Sequence, residues 1–109
     1  VIAHVKPTVH DYNSLGYYYI FSKQYLKAIK YLKEGMKLDD TDLFIQGNLA
    51  HAYLFSGDFE QAKEIYIKYK AQNIDDKMSW VEMIKLDFAD FKKAGLPSDN
   101  FQAILDLVK

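Results

Sequence analysis

The sequence superimposes on itself when it is shifted by 34 residues. The matched positions hold small, apolar or hydroxyl side chains in one register: Leu15 with Leu49, Gly16 with Ala50, Tyr19 with Tyr53, Ile20 with Leu54, Phe21 with Phe55, Ser22 with Ser56, Tyr25 with Phe59 and Ala28 with Ala62. A period of roughly 20 to 50 residues is typical of repeat proteins, in which similar units stack and bury a shared core. We therefore predict a stack of repeated units forming one domain.

Each unit is predicted to contain two helices. The second half of each unit carries apolar residues at helical spacing. They are Tyr25, Ala28, Ile29, Leu32 and Met36 in the first unit, and Phe59, Ala62, Ile65, Tyr66 and Tyr69 in the second. A turn at residues 56–58 precedes the later stripe, and Asp58 followed by Gln61 is the pattern of a helix N-cap. The run 15–21 is rich in β-prone residues, but its counterpart at 49–55 contains alanine, so we predict helix for both.

The repeat becomes less regular after residue 75, although its register continues. We predict a third leading helix from Asp76 to Ala94, ended by Gly95 and Pro97. Asp87 departs from the pattern, because both earlier units have tyrosine at that place. Ser98 is predicted to cap a final helix that closes the apolar core. That helix would bury Phe101, Ile104, Leu105 and Val108.

Small residues recur in each unit where its two helices would touch. In the first unit Tyr12, Leu15, Gly16 and Tyr19 are followed by Ala28, Leu32 and Gly35, and the second has Leu49, Ala50, Tyr53 and Ala62, with Gln46 and Tyr69 as departures. This pattern resembles the tetratricopeptide repeat, a 34-residue helix–turn–helix. The resemblance implies an all-α fold, a right-handed α-α superhelix of such repeats with a C-terminal capping helix. We expect units at residues 9–42, 43–76 and 77–109, and a linker or the stub of an upstream helix at residues 1–8.

The resemblance further implies a concave face, lined by the first helix of each pair, that binds a peptide or helix of a partner protein or serves as a scaffold. The residues expected on this face are Asn13, Tyr17, Phe21, Phe44, Asn48, His51 and Phe55. Asparagine side chains can bond to the backbone of an extended peptide while aromatic rings contact its side chains. Packing between the units is the alternative for Phe21 and Phe55. For Tyr17, Asn48 and His51 the alternative is a surface without a binding role.

One specialised ligand of the family is not expected here. The carboxylate clamp that holds chaperone C-termini needs basic side chains and asparagines on the concave helices. Asn13 and Tyr17 stand where the first clamp lysine and asparagine would be, and only Asn48 matches. Met78 and Glu82 occupy the places of the last basic pair. The sequence therefore argues against this clamp.

Composition narrows the function further. The formal net charge is −1, all 14 basic residues are lysine, and there is no cysteine. The charges are interspersed and form no basic patch of the kind that binds nucleic acid. Without arginine the chain has no planar guanidinium for bidentate binding of phosphate or carboxylate. The longest apolar stretch, at residues 15–21, is far shorter than the roughly 20 residues of a membrane helix. We expect a soluble domain that binds protein and neither nucleic acid nor membrane.

Nothing in the sequence predicts a catalytic, cofactor or metal site. His4, His10 and His51 lack the spacing of helical metal ligands. The acidic groups at residues 39–42 and 75–76 lack the alternating ligands of a calcium loop, so we predict that they cap the helices that follow. Trp80 is predicted to anchor the third leading helix, with an exposed partner contact as the alternative.

Two other functions remain open from the sequence. A short repeat array exposes apolar helix surface at its end, which favours self-association as a dimer or by end-to-end stacking. Because the chain begins at Val1 and not at methionine, we expect it to belong to a longer polypeptide. It could then also be an accessory domain of an enzyme whose active site lies elsewhere in that polypeptide.

Overall fold

Helices account for most of residues 6–109, the part of the chain that the computed structural model describes. They are α1 (Val9–Phe21), α2 (Tyr25–Leu38), α3 (Leu43–Ser56), α4 (Phe59–Lys68), α5 (Trp80–Lys93) and α6 (Phe101–Leu107). The described residues contain no strand beyond an isolated bridge between Asn73 and Ser79. The predicted all-α fold is thereby confirmed. The helix pairs α1–α2 and α3–α4 lie inside residues 9–42 and 43–76, while the repeat boundaries themselves stay a prediction.

The same turn joins the two helices of each pair. Lys23, with φ 63°, and Gly57, with φ 94°, both adopt the left-handed conformation and are separated by the 34-residue shift. The N–H of Lys23 donates to the carbonyl of Ile20 at 3.0 Å, and that of Gly57 donates to the carbonyl of Leu54 at 3.3 Å. Two residues of the same register thus take the same uncommon backbone conformation, which is how a sequence repeat becomes a structural one.

Short polar side chains cap α1, α3 and α4, and the caps of α3 and α4 were expected. The Asp42 carboxylate accepts the N–H of Ile45 at 3.0 Å, and the Asp58 carboxylate accepts that of Gln61 at 3.2 Å. Both caps confirm predictions. The predicted linker or helix stub lies partly outside the described residues. Within them, Thr8 is the N-cap of α1.

Helix α3 is the centre of the molecule, since every residue from 45 to 54 is buried. Glycine lets the neighbouring helices approach closely. A Cβ atom at Gly16 of α1 would overlap Leu32 of α2, and one at Gly35 of α2 would lie 2.8 Å from Ile45 of α3. Close packing between helices requires small residues at such points, as the pattern of small residues predicted.

The structure corrects the predicted start of α5. The helix begins at Trp80 and not at Asp76, because Ser79 and Glu82 form a reciprocal capping box. The acidic group before it has another role: the Asp75 carboxylate accepts the backbone N–H of Lys77 at 2.7 Å and that of the following residue at 2.9 Å. These bonds close a turn in the α4–α5 loop, so the prediction that residues 75–76 cap a helix is wrong.

The final helix also starts later than predicted. Helix α6 begins at Phe101 with Asn100 as its N-cap, and the side chain of Ser98 caps nothing. Ser98 contributes its backbone carbonyl, which accepts the N–H of Phe101 at 3.2 Å. The predicted left-handed stop at Gly95 is confirmed by its φ of 83°. Leu96 follows it into the core and is buried.

Helix α5 contacts α4 at its start and α1 and α3 near its end. At its start Trp80 is fully buried, and its indole N–H donates to the backbone carbonyl of Tyr66 in α4 at 3.1 Å. Near its end the ring of Phe91 lies 5.1 Å from that of Phe21 in α1 and 5.2 Å from that of Phe55 in α3. Trp80 is therefore an anchor and not an exposed contact. The end of α5 therefore lies over the face of α1 and α3 that we had predicted to bind a ligand.

Candidate functional site

A cavity of about 230 Å³ lies between α1, α3 and α5. We call it the α1/α3/α5 cavity. Its lining residues are Asn13, Ser14, Tyr17, Phe44, Asn48, Met83 and Asp87. Four of these, namely Asn13, Tyr17, Phe44 and Asn48, are residues that the sequence placed on the concave face. The structure thus brings together the part of the expected face that α5 leaves uncovered.

Two asparagines form the floor of the cavity. The Asn48 side-chain amide donates to the Asn13 Oδ1 atom at 2.7 Å, across the α1–α3 contact. Asn48 is buried and Asn13 is half-buried. Each side chain keeps one unused group, since Asn13 retains its NH₂ donor and Asn48 its carbonyl acceptor. The pair therefore presents a donor group and an acceptor, which match the C=O and N–H of one residue in an extended chain.

Tyr17 forms the wall of the cavity on α1. Its ring packs edge-on against that of Phe21, with centroids 4.8 Å apart. Burial and, after it, the negative charges of Asp87 and Asp90 raise the pKa of Tyr17 to about 12. The hydroxyl therefore stays protonated at neutral pH, and it has no hydrogen-bond partner among residues 6–109. A ligand can accept that unused hydrogen bond.

His51 does not lie on the concave surface, and that prediction is wrong. Its side chain is 0% exposed. The His51 Nδ1 atom is 2.6 Å from the Tyr66 hydroxyl, and its Nε2 atom is 2.9 Å from the Asp87 Oδ2 atom. Burial and the charge of Asp87 raise the pKa of Tyr66 well above its usual value, so its hydroxyl keeps its proton. The Tyr66 hydroxyl therefore donates to Nδ1, its only neighbouring acceptor among residues 6–109. This bond places the imidazole proton on Nε2, which donates to Asp87.

Phe21 and Phe55 serve packing, the alternative that the sequence left open. Both are half-buried, and Phe91 of α5 covers them. The ring of Phe55 also lies 5.3 Å from that of Tyr25 and 5.9 Å from that of Phe101. Aromatic contacts on several sides hold these rings in the core. The half of the concave face that they occupy is filled by the chain itself.

Sequence reasoning missed the residues that α5 contributes, Met83 and Asp87. Their register equivalents in α3, Leu49 and Tyr53, line a different cavity, between α2, α3 and α4. The same register positions therefore have different neighbours in α3 and in α5. A signal was present in Asp87, since a carboxylate replaces the tyrosine of the earlier units. It did not reveal which helix the carboxylate would face.

The cavity between α2, α3 and α4 is larger, with a volume of about 570 Å³. Its rim carries charges of both signs, from Lys33, Lys37 and Lys68 and from Asp40 and Glu64. The Lys33 ammonium lies over the ring of Tyr53, 5.7 Å from its centre. This mixed rim selects no single charge in a ligand. Among residues 6–109, no group of three His, Asp or Glu side chains is arranged as metal ligands.

The fold defines an α-helical repeat protein, in which paired helices repeat with a fixed register. The family model of the tetratricopeptide repeat matches residues 21–79. The chain belongs to the tetratricopeptide repeat family. No curated protein and no solved structure matches it.

Family membership establishes the general function. Tetratricopeptide repeats generally mediate protein–protein interaction or scaffolding, and the family is typically non-catalytic. Within the described residues, no helix is both long and apolar enough to cross a membrane. The family does not specify the face or the chemistry of binding, which must be argued from this chain's own residues.

Proposed function

We propose that the domain binds an extended segment of a partner protein in the α1/α3/α5 cavity. The observation that carries the proposal is the convergence of Asn13, Tyr17, Phe44 and Asn48 on one concavity. These four residues come from two different helices and combine amide, hydroxyl and aromatic groups. A few placed polar groups in a largely apolar concavity are typical of a binding site.

The polar groups of the cavity suit a peptide backbone. The unused donor of Asn13 and the unused acceptor of Asn48 lie side by side because the two side chains are bonded at 2.7 Å. One residue of an extended segment can bond to both, because its own C=O and N–H point to the same side of the chain. Each of these hydrogen bonds replaces a hydrogen bond to water. The asparagine pair therefore fixes the orientation and register of the bound segment more than it adds to the affinity.

Phe44 supplies apolar contact at the mouth of the cavity. It is the second residue of α3, and 50% of its surface is exposed. An aromatic side chain held on a rigid helix gains contact area at a small entropic cost when a partner covers it. Phe44 is therefore the residue whose truncation should weaken binding most while leaving the fold intact.

A peptide selection tests the proposal. Random peptides displayed on phage are selected against the domain, and the affinities of selected peptides are measured by fluorescence anisotropy. Phe44→Ala is expected to weaken cavity-bound peptides at least tenfold, or about 1.4 kcal/mol. His51 is left unchanged, because replacing a fully buried residue would report on folding.

Tyr18→Ala is the matched control. Tyr18 is an aromatic residue of α1 that is 63% exposed and does not line the cavity. Both substitutions remove exposed rings, so both should change the free energy of unfolding by no more than about 0.5 kcal/mol. Equal loss of binding in the two variants, or no loss in either, contradicts binding in the cavity.

A further inference from the structure

We propose that the α1/α3/α5 cavity receives a positively charged side chain, lysine or arginine, of the bound segment, with Asp87 as its counter-ion. The inference rests on the proposed function and names the chemistry of the occupant. It follows from the charge of the cavity, from the fixed position of Asp87 and from the size and walls of the space.

The cavity is negatively charged. Asp87 is the charged residue among the side chains that line it in residues 6–109, and no lysine lines it. Asp90 stands one helical turn further along α5 and is exposed. Both carboxylates act on the phenol of Tyr17, whose pKa they help to raise. Two carboxylates that pair with no lysine among residues 6–109 favour a cationic occupant, especially where protein walls lower the dielectric constant.

The Asp87 carboxylate is held in place and only partly used. Its Oδ2 atom accepts from the His51 Nε2 atom at 2.9 Å, and its Oδ1 atom accepts no hydrogen bond within residues 6–109. Its side chain is 20% exposed, at a point where it lines the cavity. The contact with His51 therefore orients one carboxylate oxygen and leaves the other unused. An incoming ammonium or guanidinium can donate to Oδ1.

The size and walls of the cavity fit one long side chain. A volume of about 230 Å³ is below the roughly 300–1,000 Å³ of small-molecule sites. Tyr17 and Phe44 offer aromatic surface to a cation or to the methylene stem that carries it. Met83 lines the remaining apolar side. Lysine and arginine combine an apolar stem with a charged end, which matches this arrangement.

The test uses the peptides whose binding depends on Phe44. We expect each of them to contain a lysine or arginine whose replacement by norleucine lowers affinity at least tenfold. Asp87→Asn should lower the affinity of the charged peptide by a similar factor and change that of the norleucine peptide less than threefold. The asparagine keeps an oxygen for His51, and thermal unfolding of the variant checks that the fold is retained.

Asp106→Asn is the control for the loss of one negative charge. Asp106 is exposed on α6 and does not line the cavity, so this variant should bind both peptides as the unaltered domain does. Peptides that need Phe44 but carry no basic residue, or that bind equally well to Asp87→Asn, overturn the inference and leave the proposed function standing. Failure to obtain any peptide that depends on Phe44 overturns both.

Discussion

The buried contact between His51 and Tyr66 can be tested by replacing both residues with phenylalanine, singly and together. His51→Phe keeps an aromatic ring among its neighbours but removes the acceptor of the Tyr66 hydroxyl. Because Tyr66 is 0% exposed, water cannot take the place of the 2.6 Å bond. An unsatisfied buried hydroxyl costs about 1–3 kcal/mol. Asp87 also loses a donor, but its partial exposure allows water to replace it.

Tyr66→Phe leaves the His51 Nδ1 atom without a donor, and we expect it to cost about 1–3 kcal/mol for the same reason. The double variant has no unpaired polar group at this contact, and its two rings can pack as the native rings do at 5.6 Å. Its cost should therefore fall short of the sum of the single costs by about 1–3 kcal/mol.

Urea unfolding followed by circular dichroism and by the fluorescence of Trp80 measures all four proteins. Agreement between the two probes establishes a two-state transition. With a slope of about 1–3 kcal/mol per M of urea, each kcal/mol lost lowers the unfolding midpoint by about 0.3–1 M, which is easily resolved. Additive costs in the double variant would show that the hydroxyl and the imidazole do not depend on each other, and would refute the proton arrangement assigned to His51.

Two further predictions concern packing and pH. Gly16→Ala should lower the free energy of unfolding by about 1–2 kcal/mol, because its Cβ overlaps the buried Leu32 side chain and the overpacking outweighs the gain in helix propensity. Gly47→Ala should stay within about 1 kcal/mol of the unaltered domain, because its Cβ would lie 2.8 Å from the terminal Cε methyl of Met83, a flexible side chain, and at an ordinary 3.7 Å from Trp80. Thermal unfolding compares the pair. Since Tyr66 binds its proton more tightly when folded, its contribution to stability should be fully present below pH 10 and fall above it by about 1.4 kcal/mol per pH unit. Urea titrations across that range should show a smaller decline in Tyr66→Phe, and an unchanged decline would contradict the cause assigned here.

Local patterns predicted the first four helices because the repeat contains the information twice. The left-handed residue of the first turn is Lys23, which alone would not predict such a conformation. Its register partner is Gly57, which does, and the structure shows the two turns to be alike. The third unit departs from the repeat, and there the predicted start of α5 was wrong. The capping box of Ser79 and Glu82 is readable in the sequence, yet the preceding acidic pair competed with it as a start for α5.

The candidate site was predictable only in part because it depends on how α5 packs against α1 and α3. Tyr17 and His51 are equivalent in the repeat, being separated by 34 residues. Tyr17 lines a cavity and His51 is fully buried. The difference arises because α5 packs against His51 through Asp87, Phe88 and Phe91, whereas Tyr17 is covered on one side by Phe91. Register defines which face of a helix a residue occupies, and the neighbouring helix decides whether that face is open.

The neighbours of residue 87 explain why a carboxylate is tolerated there. In α3 the equivalent Tyr53 is buried and lies beside α2, with the Lys33 ammonium over its ring. A carboxylate buried in that way without a partner would cost several kcal/mol or lose its charge. In α5 the same register position instead meets the N–H of His51 and the opening of the cavity. Loss of the repeat pattern in the third unit and the appearance of a charged cavity are therefore linked, since the neighbours of residue 87 in α5 give its charge a hydrogen bond and a place beside the cavity.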